Sequence, residues 1–145
     1  MEVRDCMCNE VSWVKPNDSV CNCAKLMSTN HIGCVPVCDD NQRVVGLVTD
    51  RDIVLRAIAA DKDVKTTPVS EIMSCNVCIC NPDMDVNEVQ NMMSENQIRR
   101  IPVMENNKIV GILTLGDLAA NKGVNNEMVS TTLENICNCN EKNAE

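Results

Sequence analysis

The sequence has almost no aromatic residues: Trp13 is the only one, and tyrosine and phenylalanine are absent. The core must therefore be built from aliphatic residues, Met and Cys, with cysteine acting as a small hydrophobe. Positive charge is also scarce, since 13 Lys and Arg face 21 Asp and Glu and the net charge is −8. Proteins that follow nucleic-acid phosphates or bind anionic membranes need a positive surface. We therefore expect no nucleic-acid partner and no membrane partner.

Long apolar runs are absent too, and none approaches the roughly 20 residues of a membrane helix. The acidic start Met1–Asp5 lacks the layout of a signal peptide. Both observations predict a cytoplasmic protein. Eleven cysteines would indicate a disulfide framework in a secreted chain of this length, but in the cytoplasm we expect reduced thiols.

An internal repeat is the main feature that the sequence does contain. Residues 11–37 align with residues 77–103 at a constant offset of 66, so that Pro16 matches Pro82 and Met27 matches Met93. The offset is 65 from Val45 onward, because one residue is lost in a polar turn. The repeat predicts two copies of one structural unit.

Each copy reads as strand, helix, strand, strand, helix, an α/β (α+β) arrangement. In the first copy we expect a short strand at Val11–Val14, a helix capped by Asp18 or Ser19, a hairpin of Val35–Cys38 with Val44–Val48, and a last helix over residues 50–59. The predicted domains are repeat 1 at 5–59, a linker at 60–70, repeat 2 at 71–120 and a tail at 121–145. Val129, Leu133 and Ile136 predict a tail helix, and the end of the tail is predicted to be disordered.

The second hairpin strand of each copy ends in a matching motif, Gly46-Leu47-Val48-Thr49-Asp50-Arg51-Asp52 and Gly111-Ile112-Leu113-Thr114-Leu115-Gly116-Asp117. These motifs, and the Pro-Val pairs at 36–37 and 102–103, resemble those of CBS domains. The chain as a whole is similar to small bacterial proteins that consist of a CBS pair alone. The resemblance implies two βαββα repeats about a pseudo-twofold axis, a homodimer, and an adenosine-containing small molecule such as AMP, ADP or ATP bound in the clefts between the repeats. No cofactor is required, the ligand being the adenine nucleotide itself.

The motif itself is compatible with nucleotide binding. Thr49 or Thr114 at a helix start can contact phosphate, and Asp52 or Asp117 can hold the two ribose hydroxyls. Gly46 would let backbone or base approach closely. The alternative is that Thr-x-x-Asp is only a helix-capping box.

Three arginines complete the predicted site. Arg51 lies beside the first motif, and Arg99 and Arg100 precede the first hairpin strand of the second copy. Consecutive residues of an extended segment point to opposite sides, so we expect one of the pair at each cleft. Repeat 1 carries Gly33-Cys34 at the equivalent positions, so the clefts differ chemically. The first cleft can then combine Arg51 with one arginine of the pair, and we expect it to favour the more highly phosphorylated nucleotide. A solvated or carboxylate-paired arginine surface is the alternative.

Cysteine spacing offers a rival function, because four Cys-x-Cys pairs, at 6/8, 21/23, 78/80 and 137/139, could bind a thiophilic metal or respond to oxidants. Structural zinc sites usually have longer spacing, and Cys23, Cys34 and Cys38 lie at predicted core positions. His31 is the only histidine and is expected to end a helix rather than bind metal. No metal site is therefore predicted, and the chain shows no catalytic constellation. The favoured interpretation is a regulatory module without catalysis that acts on an unidentified protein target. Besides a metal or redox sensor, the alternative is a protein-interaction module that binds no small ligand.

Overall fold

The computed structural model describes residues 1–143, with the side chains of residues 1–137. The chain forms two compact units. We call Ser12–Val77 the repeat-1 unit, and Met1–Val11 together with the chain from Cys78 onward the repeat-2 unit. Among the described residues, no helix is both long and apolar enough to span a bilayer.

The repeat-1 unit contains a helix, a hairpin and a second helix. Helix α1 spans Val20–Asn30, and the Ser19 hydroxyl caps it by accepting a hydrogen bond from the Asn22 N–H. Strands β1 (Cys34–Cys38) and β2 (Val44–Thr49) pair antiparallel. Helix α2 begins with one α-helical turn, Asp50–Asp52, and continues as π-helix over Ile53–Ile58.

The repeat-2 unit has the same order of elements and one more helix. Helix α3 spans Val86–Asn96, strands β3 (Arg100–Glu105) and β4 (Lys108–Thr114) form the hairpin, and α4 spans Leu115–Ala120. Helix α5, Asn126–Asn143, packs on α3 and α4. The predicted hairpins are confirmed to within one or two residues at each end.

The first predicted strand of each copy is reduced to a single bridge. Of Val11–Val14 only Val14 pairs, in parallel with Val37, and the equivalent Cys80 pairs with Val103. The proline two residues later, Pro16 or Pro82, cannot donate to a ladder and prevents pairing beyond the bridge. On the other side of the bridge, residues 11–13 of the predicted strand pair with no other strand.

The predicted repeat boundaries do not coincide with the compact units. The predicted linker, residues 60–70, is hydrogen-bonded to the start of α1, where the Val20 N–H donates to the Thr67 carbonyl at 2.9 Å. The first residues of the chain do the same for α3, where the Val86 N–H donates to the Met1 carbonyl at 3.0 Å. Val69 and Val3 are both fully buried. The starts of α1 and α3 are therefore each completed by the segment that precedes the other repeat: the linker before repeat 2 completes α1, and the first residues of the chain, before repeat 1, complete α3.

Each unit has its own hydrophobic core, built mainly from Val, Ile, Leu, Met and Cys as the composition required. In α5, Val129 and Ile136 are buried as expected, but Leu133 is exposed and Thr132 takes the inward position. Thr132 and Leu133 flank the line from Val129 to Ile136 on opposite sides, so the packing of α5 on α3 and α4 decides which of the two is buried. The disorder predicted for the end of the tail concerns residues 138–145, which lie outside the described side chains.

Candidate functional site

The strand-to-helix junction of the repeat-1 unit holds Thr49 and Asp52 against each other. The Asp52 N–H donates to Thr49 Oγ1 at 3.1 Å, and the Thr49 N–H donates to Asp52 Oδ2 at 2.9 Å. Thr49 has an extended backbone and begins α2. This reciprocal pair is a complete capping box.

The repeat-2 unit has the same geometry. The Asp117 N–H donates to Thr114 Oγ1 at 3.0 Å, and the Thr114 N–H donates to Asp117 Oδ2 at 2.9 Å. The capping box is thus present in both copies. The capping box leaves two groups of each motif available to a ligand, because each threonine hydroxyl can still donate its own proton and each carboxylate still has its Oδ1. The partly buried carboxylates are held in one orientation.

Asp52 and Asp117 differ in the groups that surround Oδ1, the carboxylate oxygen that the capping box does not use. Asp52 Oδ1 lies 3.8 Å from Arg56 Nε, and the Asp52 side chain is 14% exposed. Arg56 Nη1 also donates to the Ile72 carbonyl at 3.3 Å. The equivalent residue in the repeat-2 unit is the neutral Asn121, whose amide donates instead toward the Asp5 carbonyl and Cys6 Sγ. Asp52 therefore has a cation beside it that Asp117 lacks at this position.

Arg99 and Arg100 both belong to the repeat-2 unit and lie beside Thr114. The Leu115 N–H donates to the Arg99 carbonyl at 2.9 Å, and Arg100 is directly opposite Thr114 in the β3–β4 ladder. Directly opposed residues share one face of a hairpin, so Arg100 and Thr114 point to the same side. Arg99 is exposed and Arg100 is half-buried. Arg51 is exposed on the first turn of α2.

Gly33 takes the place of Arg99 in the repeat-1 unit, and its carbonyl accepts from the Asp50 N–H at 3.0 Å. A cavity of about 490 Å³ opens next to this bond. Its lining residues come from the end of α1, the start of β1 and the start of α2: Met27, Ser28, His31, Ile32, Gly33 and Asp50. Ligand pockets in proteins commonly have this size. Ser28 and Asp50 were not among the residues selected from the sequence.

The glycine of each motif lies against another segment of the chain. A β-carbon at Gly46 would lie 2.5 Å from Met73 Sδ and 3.1 Å from the Ser74 carbonyl oxygen, and one at Gly111 would lie 2.9 Å from both the Cys8 carbonyl oxygen and Met7 Sδ. At Gly46 the close approach is therefore made by backbone, one of the two possibilities that we expected.

The cysteines at core positions are buried, as expected for Cys23, Cys34 and Cys38, and Cys80 joins them. Burial raises the pKa of Cys23 and of Cys38 to about 11 and that of Cys80 to about 12. Such thiols stay protonated at neutral pH and are poor metal ligands or nucleophiles. Within the described part of the chain, no group of three or more His, Cys, Asp or Glu residues could hold a metal ion. His31 ends α1 in the left-handed conformation, with φ of 54°.

The repeated helix–hairpin–helix unit with Thr-x-x-Asp at the strand-to-helix junction defines a class of small regulatory domain. The sequence profile of the CBS domain matches residues 3–58 and 69–122. This chain belongs to the CBS domain family and carries two copies of the domain.

Several relatives match this chain over most of their own length. The CBS domain-containing protein YhcV of Bacillus subtilis is 40% identical over 138 residues, which cover 95% of this chain and 96% of YhcV. Among solved structures, Hypoxic Response Protein I with two coordinated zinc ions is 34% identical with a TM-score of 0.76, covering 82% of this chain and 97% of that one. The CBS domain pair of protein MJ0100, in complex with 5′-methylthioadenosine and S-adenosyl-L-methionine, is 29% identical with a TM-score of 0.74, covering 82% of this chain and 93% of that one.

Sequence reasoning missed the segments that complete each unit. Val3 and Val69, and Met7 and Met73, are related by the same offset of 66 that relates the two copies. Extending the alignment upstream of Val11 and Val77 would have revealed them.

Proposed function

We propose that this protein is a regulatory module without catalysis that binds adenosine-containing ligands and passes the bound state to a protein partner. The observation that carries the proposal is membership of the CBS family over both repeats, together with a CBS pair of the same fold that binds two adenosyl ligands. A ligand regulates such a module if it binds two arrangements with different affinity. A cytoplasmic location and a homodimer are part of the proposal.

The residues assigned to binding are Thr49, Arg51 and Asp52 in one unit and Thr114, Asp117, Arg99 and Arg100 in the other. The aspartates accept the ribose hydroxyls through the oxygen that the capping box leaves, and the threonine hydroxyls donate to the ligand. Arg99 and Arg100 contact phosphate, and Arg51 adds positive charge beside the first motif. The capping boxes support this assignment because they hold each carboxylate in place before the ligand arrives.

Titration calorimetry with AMP, ADP, ATP, S-adenosylmethionine and NAD tests the proposal. Asp52→Ala and Asp117→Ala should each weaken binding by roughly tenfold or more, because a charge-assisted hydrogen bond contributes about 1.5–3 kcal/mol. Asp40→Ala, at the exposed β1–β2 turn, is the matched control and should bind as the wild type. If both motif variants also bind as the wild type, the Thr-x-x-Asp pairs are helix caps only.

Zinc binding is the second candidate, because a relative with the same fold and 34% identity was solved with two zinc ions. Zinc belongs in the same titration series. Zinc binding with no adenosine ligand below millimolar concentration would favour this candidate. Silence from every probe would favour a module that binds only protein.

A further inference from the structure

The two units carry different charges at two positions beside their motifs. Asp50 follows Thr49 in the repeat-1 unit, whereas the apolar Leu115 follows Thr114. The residue that hydrogen-bonds to this position is Gly33 in one unit and Arg99 in the other. At these two backbone-bonded positions the repeat-1 unit therefore carries a carboxylate and no cation, and the repeat-2 unit carries a guanidinium and no carboxylate.

The cavity of the repeat-1 unit combines apolar and polar walls. Met27 is buried and Ile32 is half-buried, and both pack with the core of that unit. Ser28, His31 and Asp50 are exposed and supply the polar atoms. The lining contains no lysine or arginine.

The Asp50 carboxylate keeps its charge available to a ligand. Its Oδ1 accepts the Arg51 N–H at 2.9 Å, and the ion pairs found among the described residues do not include it. The Arg56 guanidinium contacts Asp52 and the Ile72 carbonyl and is not part of the cavity lining. Arg51 is exposed and lies outside the lining of the cavity. A phosphate entering this cavity would meet a carboxylate and no lining cation, which is unfavourable.

We infer that the repeat-1 cavity selects an adenosyl ligand whose 5′ group is a neutral thioether or a cationic sulfonium, and that Asp50 determines this selectivity. The repeat-2 unit, with Arg99 and Arg100 beside Thr114, takes the phosphorylated nucleotide. The inference rests on the proposed function and names the ligand class of each unit. It departs from the expectation drawn from Arg51, because Asp50 lines the cavity and Arg51 does not.

A series of three ligands with one adenosine and different charge tests the inference. Calorimetry is carried out with S-adenosylmethionine, 5′-methylthioadenosine and AMP, and the methyl resonances of Met27 and Ile32 report which ligand enters the cavity. We expect both thio compounds, but not AMP, to shift these resonances. Asp50→Asn should lower affinity for S-adenosylmethionine by roughly tenfold while leaving 5′-methylthioadenosine unchanged. Asp40→Asn removes the same charge from an exposed turn and should change neither.

The reciprocal change is the double variant Gly33→Arg with Asp50→Leu. It gives the repeat-1 unit the residues that the repeat-2 unit has at the same two positions, Arg99 and Leu115. AMP should then shift the Met27 and Ile32 resonances. The inference is overturned if Asp50→Asn changes the affinities of all three ligands by the same factor, or if Asp40→Asn has the same effect as Asp50→Asn. If no adenosyl compound binds the wild type at all, the proposed function fails, and the inference fails with it.

Discussion

Gly111 lies directly against the backbone of Cys8. A β-carbon on Gly111 would be 2.9 Å from the Cys8 carbonyl oxygen, and the same carbonyl accepts the Ile112 N–H at 3.1 Å. The equivalent Gly46 meets mainly the flexible side chain of Met73, with the Ser74 carbonyl at 3.1 Å. The two glycines of the repeated motif thus tolerate a methyl group to different degrees.

Gly111→Ala should lower the free energy of unfolding by about 1–3 kcal/mol, because a backbone carbonyl in a hydrogen bond must move. Gly46→Ala should cost less, and the added variant Met73→Ala should relieve part of its cost. Gly116→Ala is the control, since its β-carbon would make only an ordinary 3.5 Å contact in a helix, where Ala is preferred by roughly 0.5–1 kcal/mol. Urea unfolding gives all four values. Equal losses at Gly46 and Gly111 would contradict the comparison.

The capping role of the motif can be separated from its proposed binding role at Thr114 and Asp117. Thr114→Ala should cost about 0.5–2 kcal/mol of stability by removing the acceptor for the Asp117 N–H, whereas Thr114→Ser retains it. Asp117→Asn keeps an oxygen for the Thr114 N–H but loses the charge. We expect its stability to change by about 0.5 kcal/mol or less and its affinity for AMP to fall by roughly tenfold. Unfolding and calorimetry on the same samples distinguish the two roles. If Asp117→Asn lost stability and affinity to the same extent, the capping role and the binding role could not be separated, contrary to this prediction.

Buried cysteines should make the protein sensitive to alkaline pH. The pKa values of Cys23 and Cys38 are raised to about 11 and that of Cys80 to about 12, against an ordinary value of 9.0. On raising the pH, the three thiols lose their protons in the unfolded chain before they do so in the folded protein. Their contribution to the free energy of unfolding is therefore complete below pH 9.0 and is lost as the pH rises toward 11 to 12. Cys80→Val should reduce the slope of unfolding free energy against pH in that window, with Cys75→Val, at an exposed position, as control. An unchanged slope in Cys80→Val would show that burial does not hold this thiol protonated.

Gln90 is fully buried on α3, and its amide nitrogen and oxygen both lack a hydrogen-bond partner. Ala24, at the equivalent position of α1, is only half-buried; α5 packs on α3, whereas no such tail helix belongs to the repeat-1 unit. Replacing an unsatisfied polar group by an apolar one of similar shape removes its desolvation cost. Gln90→Met should therefore raise the free energy of unfolding by about 1–3 kcal/mol.

Asn91→Met, on the exposed side of the same helix, is the control for Gln90→Met and should stay within about 0.5 kcal/mol of the wild type. Hydrogen exchange of the α5 amides gives a second measurement, because tighter packing on α3 should slow it. A destabilised Gln90→Met protein would mean that the amide makes hydrogen bonds in solution.

Much of the fold was predictable because its signals are local. The apolar spacing of Val20, Cys23 and Met27 predicted α1, Ser19 was one of its two candidate caps, and His31 was expected at its end. Both hairpins followed from apolar runs separated by polar turns. The strand at Val11–Val14 was less predictable, because whether a short extended segment pairs depends on its neighbours and not on its own composition.

The repeat, the family and the Thr-x-x-Asp motifs can be predicted from the sequence alone, because they depend on order along the chain. The segments that complete each unit are set by tertiary contacts, since the hydrogen bonds from Val20 to Thr67 and from Val86 to Met1 join residues far apart in sequence. Tertiary contacts also place Asp50 at a cavity beside Gly33, while the Leu115 N–H bonds to the Arg99 carbonyl. Charges at one junction come from two elements separated by a hairpin, so their combination is set by strand pairing and not by spacing in the sequence.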